Sequence, residues 1–347
     1  MPPTVTDPAV AVEPLLAAYR DRTLQALLAG LPEDSPAYLY DLLGTYPSRP
    51  GKGLRAALCL ATCAAYGGDV DLALNSAVAI ELFHNAFLIH DDIQDASEQR
   101  RGGPTLQSMY GTGIALNVGN ATNLLAVRRV RANRTLLGGQ LAWRVFEETE
   151  TMLRHSLEGQ AIELGWIRDN VAGLAQDDYY RMCLKKTSWY TCLYPCRVGR
   201  LVALGEREDA TVLDRYGWYL GAAFQIQDDL LNLVGTYESY GKEILGDLRE
   251  GKRTLMVIHL QETLRGRDAE RLHAFLGQSR AERCDADVRW VMGRLEGCGS
   301  LAAARAHARD LADAARREAQ SALAGLADGP DRSFLLALPD YVVTRER

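Results

Sequence analysis

Proline is scarce in this sequence. It accounts for 12 of 347 residues, eight of them before Gly51, and only Pro104 and Pro195 fall between Gly51 and Gly329. Proline breaks helix interiors and is common in the turns of all-β chains. A proline-poor stretch this long, rich in Ala and Leu, excludes a sandwich, a barrel or a Pro-rich disordered chain. Cysteine is used without pattern. The seven residues form no CxxC pair and no Cys/His ligand spacing, so neither a zinc site nor a disulfide framework is expected. Cys59/Cys63 and Cys192/Cys196 are each one helical turn apart and read as small buried helix residues. Long basic runs are missing, and 39 Lys+Arg stand against 45 Asp+Glu for a net charge of −6. No nucleic-acid partner is expected. The start MPPTVTDPAVAVEP has neither the basic nor the apolar region of a signal peptide. The longest apolar stretch, 56–66, is too short to span a bilayer. These absences point to a cytoplasmic protein with no transmembrane segment.

What remains is helical. Apolar residues recur near a period of 3.6, which predicts an all-α, single-domain bundle: a loose tail at 1–10, then one helical domain over 11–347. Helices are expected at 12–31, 53–66 (apolar all round, hence buried), 71–95, 105–126, 135–166, 176–204, 209–233, 251–264, 268–276, 282–296, 300–325 and 331–344. The stretch 98–104 reads as a charged, Gly-containing loop. The basic cluster Arg128, Arg129, Arg131 and Arg134 reads as a solvated helix end or loop. Loops are expected at 168–176, 235–246 and 326–330. No repeat of 20–50 residues is present.

There is one local echo: two Asp pairs, each embedded in an apolar helix. The first closes His84-Asn-Ala-Phe-Leu-Ile-His-Asp-Asp-Ile-Gln-Asp95. Asp91 and Asp95 are i,i+4 and share a helix face with His84, Phe87 and Leu88 upstream. The second is Phe224-Gln-Ile-Gln-Asp-Asp-Leu-Leu-Asn232, with Gln225, Asp228, Asp229 and Asn232 along one face. Like charges at i,i+4 cost about 0.2–0.5 kcal/mol, and Asp is a weak helix former. One such pair is an ordinary polar surface; two after apolar runs are harder to explain that way. If both faces point into one cavity, five carboxylates converge. Two unit charges about 4 Å apart interact by about 4 kcal/mol at an effective dielectric of about 20, so the cluster needs cations. Oxygen ligands without His or Cys select Mg²⁺, which typically bridges carboxylates to a phosphate. A phosphate or diphosphate ligand is therefore implied.

Basic residues suit that ligand. Lys52 and Arg55 in Gly51-Lys-Gly-Leu-Arg55 lie at a helix start, a position suited to anions. Arg100-Arg101-Gly102 follows Asp95, Lys186-Thr187 sits mid-helix, and Lys242 and Lys252/Arg253 flank Asp247. The segment 51–55 is no Walker A loop, because its glycine spacing and terminal Ser/Thr are wrong.

Taken in order, these residues resemble the trans-isoprenyl diphosphate synthases. The family's GKxxR matches Gly51-Lys52-x-x-Arg55, its DDxxD matches Asp91-Asp92-x-x-Asp95, and its RRG matches Arg100-Arg101-Gly102. Its GQ matches Gly159-Gln160, its KT matches Lys186-Thr187, and its FQxxDD matches Phe224-Gln225-x-x-Asp228-Asp229. Gly241-Lys242, Asp247 and Gly251-Lys252 follow. The resemblance implies the isoprenoid-synthase type of helical bundle around a central cavity, a homodimer, and isoprenyl diphosphates as substrates. Asp91, Asp92, Asp95, Asp228 and Asp229 would hold Mg²⁺, three ions per site, on the allylic diphosphate. Arg100, Lys186 and Lys242 would contact that diphosphate too. Lys52, Arg55, His84 and Arg101 would bind isopentenyl diphosphate, and Thr187, Gln225 and Lys252 complete the substrate-binding set. The stretch 235–246 is a candidate lid. In this family bulky residues four and five positions before the first Asp-rich motif limit product length. Here these are Phe87 and Ala86, one large and one small, which points to geranylgeranyl diphosphate, with farnesyl or geranyl diphosphate as alternatives. A terpene cyclase on the same fold is disfavoured by Lys52, Arg55, His84 and Arg101 and by the lack of an NDxxSxxxE-type motif. A non-catalytic subunit of a heteromeric synthase is disfavoured because both Asp motifs are present. Four positions depart from the family pattern: Asn120 and Asn232 replace Asp, Glu163 replaces Asp, and Met256 replaces Pro. Asn232 is expected still to offer an oxygen to water or metal.

Overall fold

The computed structural model describes residues 8–235 and 243–345. Among these, helices account for nearly everything, in the order α1 Pro8–Leu28, α2 Ala37–Tyr40, α3 Leu54–Ala65, α4 Val70–Gln94, α5 Leu106–Tyr110, α6 Thr112–Leu137, α7 Gly139–Arg168, α8 Gln176–Cys183, a π-helix Leu184–Leu193, α9 Tyr194–Leu204, a 3₁₀ turn Ala210–Leu213, α10 Asp214–Val234, α11 Gly246–Glu250, α12 Leu255–Thr263, α13 Gly266–Gly277, α14 Asp285–Gly297, α15 Ser300–Ala322 and α16 Pro330–Thr344. The all-α expectation holds. The first helix begins at Pro8, so residues 8–10 of the expected tail are helical, and 1–7 lie outside the described residues.

The apolar pattern decides where each helix sits. Every residue of α3 from Leu54 to Cys63 is buried, as its all-round apolar sequence requires. Asp69 caps α4 by accepting from the Asp71 amide at 2.9 Å. By length and composition α4 could also cross a membrane, but 67% of its most apolar window is buried inside the protein. It is a core helix, longer in its apolar character than the 56–66 stretch suggested. Helix α10 serves three surroundings. Leu220 and Phe224 join the core formed with α1, α3, α4 and α9. Ala222, Ile226 and Leu230 join a second core built from α8 and α12–α15. The remaining stripe carries Gln225, Asp228 and Asp229.

Three local features differ from the periodic reading. The expected helix 176–204 contains a π-helical segment, with Pro195 in the first turn of α9 where the wide turns end. The basic cluster lies inside the last turns of α6, which continues to Leu137. The loop 98–104 is a two-residue hairpin, β1 Gln99–Arg100 against β2 Gly103–Pro104. Its turn residues Arg101 and Gly102 both have positive φ, 51° and 73°, as the favoured hairpin turn requires. That turn sends Arg100 and Arg101 to different partners.

Close helix approach is made possible by glycine. A Cβ on Gly159 of α7 would stand 2.2 Å from the Lys186 amide nitrogen in the π-helix. Gly159→Ala must therefore push the π-helix away, an overpacking cost of about 1–3 kcal/mol. Gly165, on the same helix with nothing within 4 Å of an added Cβ, is expected to gain up to about 1 kcal/mol as Ala. Urea denaturation of both variants checks this opposition of sign.

Candidate active site

One cavity of about 1250 Å³ opens between α4, α7, the π-helix and α10. From α4, His84, Phe87, Leu88 and Asp91 line it at i, i+3, i+4 and i+7, a single helical stripe. From α10, Gln225, Asp228 and Asp229 face it. Lys52, Arg55, Arg100, Arg101, Lys186, Thr187 and Lys252 complete the wall. Asp92, Asp95 and Ala86 do not line it. Ala86 is fully buried in the core, so of the two positions expected to limit product length only Phe87 meets the cavity. Lys242 and residues 236–241 of the expected lid lie outside the described residues.

The carboxylates are held by cations. Arg100 is 4% exposed and donates from Nε to Asp92 Oδ1 at 2.7 Å and from Nη2 to Asp91 Oδ2 at 3.0 Å. Tyr46 donates its hydroxyl to the other Asp92 oxygen at 2.5 Å. Asp92 is thereby the seat of Arg100. Lys252 donates to Asp95 Oδ2 at 2.8 Å and to Asp247 Oδ1 at 3.4 Å, and pairs with Glu250 at 2.5 Å. Burial pushes the Asp95 carboxyl up to about 6, against the pull of Lys252, and the charge of Asp91 adds to the rise. Burial works against the charge on Lys186, but Glu163, in direct contact with it, and Asp91 hold its ammonium above the usual value. Asp228 accepts from Arg345 at 2.6 Å. Asp229 accepts from Tyr179 at 2.9 Å and from Gln225 at 2.6 Å, and Thr187 donates to Gln225 at 2.6 Å. Burial, then the charge of Asp247, raises the Asp229 carboxyl well above the ordinary range. Among the described residues no three carboxylates are gathered as a ready metal site. The donor set is nevertheless all oxygen: Arg100 compensates Asp91 and Asp92, Lys252 Asp95 and Arg345 Asp228, while Asp229 is held by the neutral donors Tyr179 and Gln225. That chemistry suits a hard divalent cation.

A second group of cations surrounds His84. Its Nε2 lies 3.1 Å from Arg101 Nη2 and 3.4 Å from Arg55 Nη1. Guanidinium groups only donate, so this nitrogen is the acceptor and the ring proton sits on Nδ1. Arg55 also donates to the Tyr190 hydroxyl at 2.8 Å and lies 4.4 Å above the Tyr190 ring. Phe87 meets the same ring edge-on at 5.5 Å. Burial lowers the Arg101 guanidinium from its ordinary value.

The model of the polyprenyl synthetase family matches residues 36–294. The chain belongs to that family. A short chain isoprenyl diphosphate synthase of Methanothermobacter thermautotrophicus is 33% identical, over 85% of this chain and 87% of its own. A geranylgeranyl diphosphate synthase of Mycobacterium tuberculosis is 32% identical, over 85% and 80%. The crystal structure of a geranylgeranyl pyrophosphate synthetase of Pyrococcus horikoshii superposes with a TM-score of 0.83 at 30% identity, covering 96% and 99%. The protein is thus an isoprenyl diphosphate synthase, a prenyltransferase with the all-α isoprenoid synthase fold, in a family that uses divalent metal ions.

Tyr46, Tyr179, Tyr190 and Arg345 carry no signal in the synthase sequence. They reach the site across 46, 50, 135 and 117 residues of chain, respectively, and no local pattern marks them. Among the departures, Glu163 reaches Lys186, Met256 is a fully buried core residue, and Asn120 lines the cavity beside Gly119, whose missing Cβ admits the His90 ring. Asn232 corrects an expectation. Its amide donates to the Glu243 carbonyl at 3.1 Å, and its oxygen accepts from the Asp247 amide at 3.0 Å. Buried and committed at both ends, it braces 243–247 rather than facing the cavity. Asn232→Asp removes the donor and buries a charge beside Asp247. A loss of about 1–3 kcal/mol in urea denaturation is expected, without tighter metal binding by calorimetry.

Proposed function

We propose that this synthase condenses isopentenyl diphosphate with an allylic diphosphate, head to tail, to give mainly geranylgeranyl diphosphate. The observation that carries this reading is one cavity shared by two carboxylate faces and two separate sets of cations. Asp91, Asp228 and Asp229, which line the cavity, would hold Mg²⁺, which, when bound, neutralises charge on the diphosphate and on the pyrophosphate as it leaves, while Asp95 behind them holds Lys252. Asp92, with both oxygens engaged, keeps Arg100 aimed at that diphosphate. Lys186, restrained by Glu163, adds a second cation on the same side, and Lys252 a third. Lys52, Arg55, His84 and Arg101 form the pocket for isopentenyl diphosphate. Its double bond attacks the allylic carbon, and the proton released passes to the departing pyrophosphate. Leu88, Met182 and Phe224 along the cavity exclude water that would quench the cation. The rings of Phe87 and Tyr190 offer π faces to it.

Geranylgeranyl diphosphate as main product rests on Phe87, one turn below Asp91 and braced by Tyr190. A homodimer is supported by a row of exposed apolar residues on α6 and α7. Leu124, Trp143 and Leu157 are 60%, 62% and 64% exposed, with Leu116, Val127 and Phe146 beside them. Large apolar side chains left exposed on two neighbouring helices are the kind of surface a second copy would cover. The seven cysteines are free thiols, five of them buried, which supports a reducing, cytoplasmic setting.

Product chromatography after incubation with Mg²⁺, isopentenyl diphosphate and each allylic primer is the test. Extension of a primer to a C20 diphosphate is expected; hydrocarbon released without isopentenyl diphosphate would reveal a cyclase instead. Asp91→Asn and Asp228→Asn should each lower kcat by about 100-fold or more. Phe87→Ala should lengthen the product, whereas unchanged length would remove Phe87 from chain-length control. Leu124→Glu combined with Trp143→Glu should halve the mass found by light scattering.

A further inference from the structure

Arg345 lies in none of the basic motifs, yet it is the cation on the second carboxylate face. It follows α16, and its side chain is only 3% exposed. Its backbone is fixed twice: its amide donates to the Tyr341 carbonyl at 3.1 Å, and its carbonyl accepts from Gln227 Nε2 at 3.0 Å. Gln227 directly precedes Asp228. The guanidinium lies 4.1 Å over the Phe224 ring, one turn before Asp228, and Nη2 donates to Asp228 Oδ1 at 2.6 Å. Both Arg345 and Asp228 line the cavity. Arg345 Nε is buried and has no acceptor among the described residues. A buried guanidinium with a donor to spare is costly unless an anion completes it.

We propose that Arg345 exchanges partners during the reaction cycle. It neutralises Asp228 while the site is empty, and once a divalent cation takes that carboxylate it turns its fork to the substrate diphosphate. This rests on the function proposed above. A guanidinium and a divalent cation on one carboxylate oxygen repel each other, so both cannot hold Asp228 Oδ1 on equal terms. A planar fork with a free Nε–H suits a phosphate, which guanidinium groups bind with two parallel hydrogen bonds. The Phe224 ring supports the guanidinium from below through either state, as a cation–π platform. The exchange makes two opposite predictions for one residue. Arg345 should weaken metal binding to the empty enzyme and strengthen diphosphate binding to the metal-loaded enzyme.

The test measures Mn²⁺ binding to the substrate-free full chain by electron paramagnetic resonance, and inorganic pyrophosphate binding at saturating Mg²⁺ by calorimetry. Arg345→Gln should bind Mn²⁺ about tenfold more tightly and pyrophosphate about tenfold more weakly, the size of an ordinary coupling between sites. Arg345→Lys, which keeps the charge but loses the fork, should restore the Mn²⁺ value and only part of the pyrophosphate affinity. Gln227→Leu loosens the Arg345 backbone without touching either charge. It should tighten Mn²⁺ by a smaller factor, and it serves if Arg345→Gln fails to fold. Unchanged Mn²⁺ binding in Arg345→Gln, or in Gln227→Leu where Arg345→Gln does not fold, or unchanged pyrophosphate binding in Arg345→Gln, overturns the exchange while leaving the synthase reading intact. A wild-type chain that binds neither probe and extends no primer overturns both.

Discussion

Two helices cannot bring five carboxylates to one cavity wall and just behind it unless positive charge is supplied between them. Each unit pair about 4 Å apart repels by about 4 kcal/mol at an effective dielectric of about 20, and a whole domain is stable by only about 5–15 kcal/mol. The cations come from four distant parts of the chain. Arg100 arrives on a hairpin, Lys186 on a π-helix, Lys252 after α11 and Arg345 after α16. The Lys252–Asp95 pair alone spans 157 residues. The architecture can be read as the solution to this problem: α4 and α10 are placed first by their apolar faces, and everything around their polar stripes delivers a counter-charge. Breaking a buried pair by removing one partner costs about 3–5 kcal/mol. The same pairs that prepare the site therefore also hold its walls together.

Delivering those charges sets steric demands that explain otherwise unremarkable residues. The hairpin must hold Arg100 against Asp91 and Asp92 while turning Arg101 toward His84, and a tight turn with two positive φ values does this in two residues. Lys186 must project between α7 and α10, so both neighbours carry glycine where they touch the π-helix. An added Cβ on Gly221 would stand 2.5 Å from Ser188 Oγ, and one on Gly159 would strike the Lys186 backbone. A π-helical turn is an uncommon feature that recurs at functional sites. Here it carries the Lys186-Thr187 pair, from which Thr187 starts the hydrogen-bonded chain through Gln225 to Asp229.

Much of this was legible in the sequence because the chemistry is written in short motifs. The spacing of His84, Phe87, Leu88 and Asp91 already places them on one stripe, and the cavity wall uses that stripe. The all-α class followed from the proline gap and the 3.6 period. The hairpin at 99–104 and the π-helix were not legible, since two-residue strands and one extra residue per turn leave no periodic trace. Ala86 misled for a related reason. Adjacent helix positions point about 100° apart, and the arc of α4 that meets the cavity runs through His84, Phe87, Leu88 and Asp91, which leaves Ala86 on the core side. Tyr46, Tyr179, Tyr190 and Arg345 were invisible because their partners lie tens of residues away and the tertiary fold alone joins them.

The departures from the family pattern become intelligible in the same electrostatic terms. Asp229 is already pushed toward its neutral form by burial and by Asp247. A carboxylate at position 232, 2% exposed, would add a third acidic group beside Asp229 and Asp247, where Lys252 at 3.4 Å from Asp247 is already shared with Asp95. Asparagine supplies the acceptor needed by the Asp247 amide and, in addition, a donor for the Glu243 carbonyl. Glu163 works in the opposite direction: it keeps a charge, with one more methylene of reach, and closes on Lys186, the cation that also approaches Asp91 at 4.0 Å. One substitution removes negative charge from the buried end of the α10 face. The other retains it beside a cation at the cavity wall. Together they leave Asp228, the half-buried carboxylate, as the member of that face best placed to exchange a protein cation for a metal.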